Sequence, residues 1–193
     1  MENNLTLRSA NRLEAHLKKN AHEFTKDDIK QVVSDLNIRM INFMYPAGDG
    51  RLKTLNFMLH SPEYLETILT SGERVDGSSL FSFIAAASSD LYVMPRFSTA
   101  FIPTLCMLCS FFDRDGKPLA SSPEHTLCKA MAAFKKVTGM EFHAMGELEY
   151  YVIRDDEGVF PADDQHGYHE SSPFSKGNDF RMRAMQLIAE CGG

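Results

Sequence analysis

Apolar positions recur at helical spacing after Thr25. They lie three or four positions apart, at Ile29, Val32, Val33 and Leu36. This spacing predicts a helix that buries one face. Thr25 suits the N-cap, because its hydroxyl can accept a hydrogen bond from an unpaired backbone N–H group, and the acidic residues that follow complement the positive end of the helix.

The pattern changes from helical spacing to strand-like segments from residue 37 onward. Residues 37–45 are rich in Ile, Met, Phe and Tyr. Residues 51–60 alternate, with an apolar face formed by Leu55, Phe57 and Leu59. Such alternation is typical of half-buried strands. Because residues 46–50 between the two segments are rich in turn formers, the pattern predicts a β-hairpin.

Two further helices carry clear start signals. Ser61 and Pro62 suit the N-cap and first position of a short helix, and Ser122 and Pro123 do the same for a longer one. The second helix has its stop signal at Gly139. Its predicted apolar stripe consists of Leu127, Ala130, Met131, Phe134 and Val137.

The remaining segments complete an α+β order of elements. Residues 73–100 are irregular, with two strand-like stretches, and residues 104–112 predict a strand. Residues 141–154 predict a long strand and residues 155–176 a polar loop, before a final helix at 178–191. Turn residues cluster between the strand at 104–112 and the helix at Ser122, which favours a domain boundary there.

Composition and charge exclude several classes of protein. The 193 residues are 44% hydrophobic, and 20 basic against 26 acidic residues give a net charge of −6. This is a globular composition without the basic surface of a nucleic-acid or anionic-membrane binder. No apolar stretch approaches the ~20 residues that span a bilayer, and the N-terminus has no apolar signal region. We expect a cytoplasmic protein without nucleic-acid or membrane partners.

The spacing of Cys106 and Cys109 resembles a metal or disulfide motif. The surrounding sequence is apolar and predicts a buried strand, in which a separation of three places the two sulfurs on opposite faces. The pair is therefore interpreted as part of the core, with reduced thiols.

A pair of acidic residues interrupts the predicted strand at 141–154. On a strand, Glu147 and Glu149 project from the same face, about 6.5–7 Å apart at the backbone. Two neighbouring carboxylates repel, and a hard divalent cation, which prefers oxygen ligands, relieves that repulsion. The spacing alone leaves open the alternative of an edge strand whose two glutamates face water.

Three motifs in order resemble the glutamine synthetase family. The first is the Asp-Gly-Ser-Ser turn at 76–79, and the second runs from Ser89-Asp90 through Pro95 to Ser-Thr-Ala at 98–100. The third is Gly-Glu-Leu-Glu-Tyr-Tyr at 146–151. The resemblance covers the chain from about residue 27 to its end.

The resemblance implies an α+β fold made of a β-grasp-like domain followed by the first strand and helices of a catalytic domain. The implied division is an N-terminal extension at 1–24, the β-grasp-like domain at 25–112 and an incomplete catalytic portion at 113–193. The family reaction joins ammonia to the γ-carboxylate of glutamate through an acyl phosphate, with ATP and two Mg²⁺ or Mn²⁺ ions. Its subunits form rings with active sites between neighbouring subunits.

The resemblance also implies roles for individual residues. Asp76 matches the family's catalytic aspartate, which binds ammonium and accepts its proton, and Ser79 matches a serine that lines the same site. Tyr168 resembles a tyrosine of that site, within a short match. Glu147 and Glu149 match ligands of two different metal ions. For Ser79 a turn or cap hydroxyl remains open, and for Tyr168 an ordinary surface position.

Two departures from the family pattern qualify the expected activity. The family's further metal ligands and substrate-binding arginines lie beyond the position that matches Gly193, so we expect an N-terminal portion that is inactive by itself. Leu148 replaces a proline that many members carry, which leaves a different amine substrate open. A non-catalytic homologue that binds a partner or regulates it is the competing interpretation.

Overall fold

The computed structural model describes residues 9–85, 89–150, 152 and 177–193. Tyr168 and the whole predicted loop at 155–176 lie outside these residues. The described helices are α1 (Arg12–Leu17), α2 (Lys26–Asp35), α3 (Pro62–Ser71), α4 (Gly77–Leu80), α5 (Pro123–Thr138) and α6 (Asn178–Glu190), with short 3₁₀ turns at Ala21–Glu23 and Phe97–Thr99. The strands are β1 (Met40–Pro46), β2 (Leu52–Met58), β3 (Glu73–Asp76), β4 (Asp90–Pro95) and β5 (Cys106–Phe112).

The five strands form one mixed sheet in the order β2-β1-β5-β4-β3. The β1–β2 hairpin is antiparallel and pairs Met40 with Met58, which confirms the predicted hairpin. In the centre of the sheet, β5 runs parallel to β1 and antiparallel to β4. The irregular segment at 73–100 contains β3 and β4, which pair with each other. The α+β fold class is therefore confirmed.

One face of the sheet forms the hydrophobic core. Phe43 of β1, Met107 of β5 and Val93 of β4 are fully buried on this face. Helices contribute to the same cluster through Ile29 and Val32 of α2, Ile68 of α3 and Leu13 of α1, all of which are fully buried. Burial of an aliphatic or aromatic side chain contributes about 1.5–3 kcal/mol. Because Leu13 belongs to this cluster, the helix α1 packs into the same core as the sheet.

The predicted helix starts are confirmed by their caps. The Thr25 hydroxyl accepts from the Asp28 amide, and the Asp28 carboxylate accepts from the Thr25 amide, which is a complete capping box. The hydroxyls of Ser61 and Ser122 likewise accept from amides in the first turns of α3 and α5. At the other end of α5, Gly139 has a φ of 72°, a left-handed conformation that suits glycine.

The two cysteines of β5 lie in the core as predicted. Both are buried, and both thiols are free. Cys106 contacts the amide of Asn42 on one face of the sheet, whereas the Cys109 thiol donates to the Met44 carbonyl and is 1% exposed. Their different neighbours agree with side chains that alternate across a strand.

The predicted strand at 141–154 is wrong for the part that the structure describes. Residues 141–150 and 152 belong to no strand. A strand needs a neighbour to accept its backbone hydrogen bonds, and no described segment pairs with this one. Its apolar side chains are exposed, including Met145 and Leu148.

The apolar stripe of α5 is also exposed. Leu127 is 58% exposed and Val137 is 84% exposed, although the helix has the predicted bounds. The first turn of α5 is tied to the sheet region, because Glu124 accepts from the Ser110 hydroxyl at 2.9 Å and pairs with Arg96 at 3.6 Å. No helix within the described ranges is long and apolar enough to cross a membrane.

Candidate functional site

Asp76 stands where the edge strand β3 turns into the short helix α4. It is the N-cap of α4, and its Oδ1 accepts from the Ser78 amide at 3.0 Å and from the Ser78 hydroxyl at 2.7 Å. The Ser79 hydroxyl donates to Oδ2 at 2.7 Å. Both carboxylate oxygens are therefore held by serines of one turn, and the structure brings together two of the predicted site residues, Asp76 and Ser79.

These hydrogen bonds stabilise the charged form of Asp76. The hydroxyls of Ser78 and Ser79, with a smaller contribution from Ser89, lower the pKa of Asp76 well below its usual value. Hydrogen bonds to the charged form of a carboxyl stabilise that form. The carboxylate is therefore ionised at neutral pH, and because it is exposed to solvent its negative charge is accessible.

No cation of the described residues compensates that charge. The nearest arginine on β3, Arg74, pairs with Asp90 at 3.5 Å, and no described ion pair involves Asp76. Asp90 is the cross-strand partner of Asp76 in the register of β3 and β4. Two acidic residues thus lie side by side at the end of the sheet, and one of them has no basic partner among the residues described.

Close packing of Gly77 against Ser89 and Leu91 fixes the position of the turn. The Gly77 amide donates to the Ser89 carbonyl. A Cβ at this position would lie 2.9 Å from that carbonyl oxygen and 2.7 Å from Cδ1 of Leu91. The β3–α4 turn therefore lies against β4 more closely than any side chain allows, which explains the glycine of the Asp-Gly-Ser-Ser sequence.

An aromatic cluster anchors the other end of α4. Phe81, directly after the helix, is 2% exposed. Its ring meets the rings of Tyr45 and Phe111 edge to face, with centroids 5.8 and 5.1 Å away. Edge-to-face contacts of this kind stabilise beyond the area that they bury. The turn that carries Asp76 is thus held at one end by β4 and at the other by the sheet core.

The two predicted metal ligands lie in a different part of the chain. Glu147 and Glu149 are both exposed, within the segment at 141–150 that forms no strand. Neither forms a described hydrogen bond or ion pair with the Asp76 turn. Within the described part of the chain, no group of three or more His, Cys, Asp and Glu residues could hold a metal ion.

Glu147 and Glu149 offer the oxygen donors that a divalent cation needs. Mg²⁺ prefers oxygen ligands, and proteins often hold it by one or two carboxylates together with water and substrate phosphates. Glu147 and Glu149 have the right donor atoms and are accessible. They fit a role as two of several ligands, and the described residues do not supply the others.

Ser78 is a residue of the site that was not predicted from the sequence. Its amide and hydroxyl both bond to Asp76, so it holds the carboxylate at least as firmly as Ser79 does. The available signal was local, because an aspartate commonly caps the backbone two residues further on. An Asp-Gly-Ser sequence before a helix therefore indicates such a contact.

Comparison with known proteins relates the chain to glutamine synthetases. The glutamine synthetase β-grasp domain family matches residues 37–113. The glutamine synthetase of Methanococcus maripaludis is 27% identical over 170 residues, which are 81% of this chain and 38% of that protein. The enzyme of Staphylococcus epidermidis is 25% identical over 180 residues, or 88% of this chain and 40% of that protein.

A solved structure supports the same fold. The cryo-EM structure of Plasmodium falciparum glutamine synthetase aligns with 59% of this chain and 23% of its own, with a TM-score of 0.51 and 15% sequence identity. The chain spans about two fifths of the length of the curated relatives named above. Residues 37–113 therefore match the glutamine synthetase β-grasp domain in sequence and in fold, and the resemblance of the chain to the glutamine synthetase family is confirmed.

Proposed function

We propose that the chain is the N-terminal portion of an ATP-dependent ligase that joins ammonia to the γ-carboxylate of glutamate. The observation that carries the proposal is the ionised, exposed carboxylate of Asp76, which has hydrogen-bond donors on both oxygens and no described cationic partner. Such a group attracts a small cation. Ammonium, with four N–H donors, is the cation that the ligase reaction uses.

The proposed reaction has two steps. The γ-phosphoryl group of ATP passes to a γ-carboxylate oxygen of glutamate, which gives ADP and an acyl phosphate. Ammonia then attacks the acyl carbon, the C–N bond forms, and inorganic phosphate leaves with the electrons of the broken C–O bond. The proton that ammonium loses before the attack must pass to a base.

Asp76 is suited to binding ammonium before the proton is transferred. Its lowered pKa favours the ionised form, which binds ammonium and concentrates it at the turn. The same hydrogen bonds make the carboxylate a weak base, so it accepts the proton only when Ser78 or Ser79 releases it. We therefore propose that rearrangement of the serine hydroxyls accompanies proton transfer.

Glu147 and Glu149 are proposed as metal ligands of the same ligase. Mg²⁺ or Mn²⁺, when bound, would neutralise the negative charge of the phosphoryl oxygens. The two glutamates contribute oxygen donors on a segment that is exposed in this structure. Because active sites of the proposed enzyme lie between subunits of a ring, a neighbouring subunit would present its Asp76 turn to these ligands.

A chimera tests the proposal in a complete enzyme. Residues 1–193 would replace the matching N-terminal portion of the Methanococcus maripaludis glutamine synthetase, and glutamine formation would be measured with ATP, Mg²⁺ and ammonium. We expect activity that Asp76→Asn lowers at least about a hundredfold and that Asp115→Asn, an exposed turn residue, leaves unchanged. A chimera that assembles but forms no glutamine would contradict the proposal. Faster turnover with methylammonium than with ammonium would indicate a different amine substrate.

A second candidate function is that of a non-catalytic binding partner. It is favoured by the exposed apolar side chains of α5, of which Leu127 and Val137 are examples. Contiguous exposed apolar surface commonly marks an interaction site. Co-sedimentation of the chain with a complete glutamine synthetase, lost in a Leu127→Glu and Val137→Glu variant and without glutamine formation in the chimera, would support this alternative.

A further inference from the structure

A cavity of about 360 Å³ lies on the sheet face opposite the main core. It is bounded by the end of α3, by β4, and by the end of β5 with the turn that follows. None of the residues of the Asp76 turn lines it. Its lining residues are Ser71, Tyr92, Met94, Phe112, Asp113, Arg114 and Gly116.

Apolar side chains form the floor of the cavity. Tyr92 and Phe112 are direct cross-strand partners, and Met94 lies two residues further along the same face of β4. These three side chains are half-buried, whereas the intervening Val93 is fully buried in the core. The floor therefore offers two aromatic rings and a thioether to an apolar group.

The wall next to Met94 is fixed by Gly72. This residue has a φ of +71°, and a Cβ there would lie 2.4 Å from the Val93 carbonyl oxygen and 2.6 Å from Sδ of Met94. The chain between α3 and β3 thus approaches β4 at a position where only glycine fits. Ser71, directly before it, lines the cavity.

The opposite rim is a tight turn, of whose charged residues Asp113 and Arg114 line the cavity. Oδ1 of Asp113 accepts from the amides of Asp115 and Lys117, each at 2.9 Å, and the Gly116 amide donates to the Asp113 carbonyl. These bonds hold the turn and leave Oδ2 without a hydrogen bond from a described residue. The next residue, Arg114, forms no ion pair within the described ranges.

The charges of Asp113 and Arg114 and the volume of the cavity indicate which kind of ligand would fit it. A ligand with a single charge would meet one group of like sign at the rim, whereas a zwitterion satisfies both Asp113 and Arg114. Ligand cavities range from about 300 to 1,000 Å³, so 360 Å³ suits a small molecule. An apolar floor with a dipolar rim matches a small molecule that has an ammonium group, a carboxylate and a hydrophobic side chain.

We propose that this cavity binds a free α-amino acid with an apolar side chain. The side chain lies on Tyr92, Met94 and Phe112, the α-carboxylate pairs with Arg114, and the α-ammonium group donates to Asp113. The proposal requires no ligase activity, so it stands or falls independently of the function proposed above.

Binding can be measured on the 193-residue chain by two-dimensional ¹⁵N–¹H NMR. L-phenylalanine is expected to cause saturable shifts at the amides of Tyr92, Phe112 and Arg114. Two analogues serve as ligand controls: 3-phenylpropionate lacks the ammonium group, and phenethylamine lacks the carboxylate. Each is expected to bind at least about tenfold more weakly, since a hydrogen bond to a charged group is lost.

Two variants complete the test. Arg114→Ala is expected to weaken L-phenylalanine binding about tenfold, whereas Lys117→Ala, which removes a cation of the same turn outside the cavity, leaves it unchanged. Dispersion of each variant's spectrum reports that it is folded. The proposal is overturned if L-phenylalanine causes no saturable shifts at these residues, if both analogues bind as tightly as the amino acid, or if Arg114→Ala binds like the parent chain.

Discussion

The Ser79 hydroxyl donates a 2.7 Å hydrogen bond to Oδ2 of Asp76. Together with the bonds from Ser78 to Oδ1, it holds the carboxylate by neutral donors. A lysine or arginine in that position would neutralise the charge, whereas hydroxyls stabilise it and leave it available. The turn is therefore arranged to keep a negative charge exposed at the end of the sheet.

Ser79→Ala tests this arrangement directly. Loss of the donor to Oδ2 is expected to raise the pKa of Asp76 toward its ordinary value, because the charged form loses one of its hydrogen bonds. Carboxyl ¹³C chemical shifts followed over an acidic pH titration measure the change. Ser82→Ala, at a nearby exposed position, is the matched control. An Asp76 titration that is the same in Ser79→Ala and the parent chain would show that Ser79 does not hold the carboxylate.

Gly77→Ala is expected to displace the turn. Its Cβ would meet the Ser89 carbonyl and the Leu91 side chain below 3.0 Å, so either the turn or β4 must move. Overpacking of this kind costs about 1–3 kcal/mol of the free energy of unfolding, which urea denaturation measures. Gly48→Ala is the control, since its Cβ would meet only Phe83 at an ordinary 3.8 Å. Equal unfolding midpoints for the two variants would contradict the close approach seen at Gly77.

Phe81→Ala is expected to destabilise the fold strongly. The side chain is 2% exposed and contacts Tyr45 and Phe111, so truncation leaves a cavity in the core. The expected loss is about 3–5 kcal/mol. Phe83→Ala provides the comparison, because this ring stacks on Phe81 but is 51% exposed, and a loss below about 1 kcal/mol is expected. Chemical denaturation of both variants checks the difference, which a similar loss in the two would refute.

The α2–α3 contact predicts a pH dependence. Lys26 and Lys30 both bond to Glu66 and lower its pKa to about 2 from an ordinary value near 4.5. The pKa is lower in the folded state, so the stabilisation is present above about pH 4.5 and is lost as the pH falls toward 2. Urea midpoints measured between pH 5 and 2 should therefore fall more steeply in the parent chain than in Glu66→Gln.

Two controls accompany this pH experiment. Glu23→Gln changes an exposed glutamate in the preceding turn and should retain the full pH dependence. High salt should reduce the difference between parent and Glu66→Gln, because the pair is exposed and salt screens it. A pH dependence that survives unchanged in Glu66→Gln would assign it to other carboxyls.

The sequence predicts those parts of the fold that are set by contacts between residues close together in the chain. Caps at Thr25, Ser61 and Ser122 and the stop at Gly139 are decided by contacts within one helical turn, so the helix bounds follow from the sequence. The hairpin follows in the same way from alternation around a short turn. The central position of β5 does not, because it depends on partners distant in the sequence.

The candidate site likewise has one part set by local contacts and one part that depends on a distant segment. The Asp76 turn is formed by contacts over two or three residues, and the structure brings Asp76 and Ser79 together. The pairing of Glu147 and Glu149 on a strand depends on a neighbouring strand, which the described residues do not provide. Alternation along the sequence shows that the segment can form a strand. Whether it does so depends on a neighbouring strand that accepts its backbone hydrogen bonds.

The parallel pairing of β1 and β5 has a consequence for the order of folding. Asn42 and Cys106, which are paired in the sheet, are 64 residues apart in the chain, whereas the β1–β2 hairpin closes over a few residues. Loop-closure entropy makes the distant pairing slower. Until β5 inserts, β1 and β4 each present an open edge on which another chain can pair. Pulse-labelling hydrogen exchange should protect amides of the hairpin before those of β5, and the interval between the two events is when this chain is most prone to aggregate.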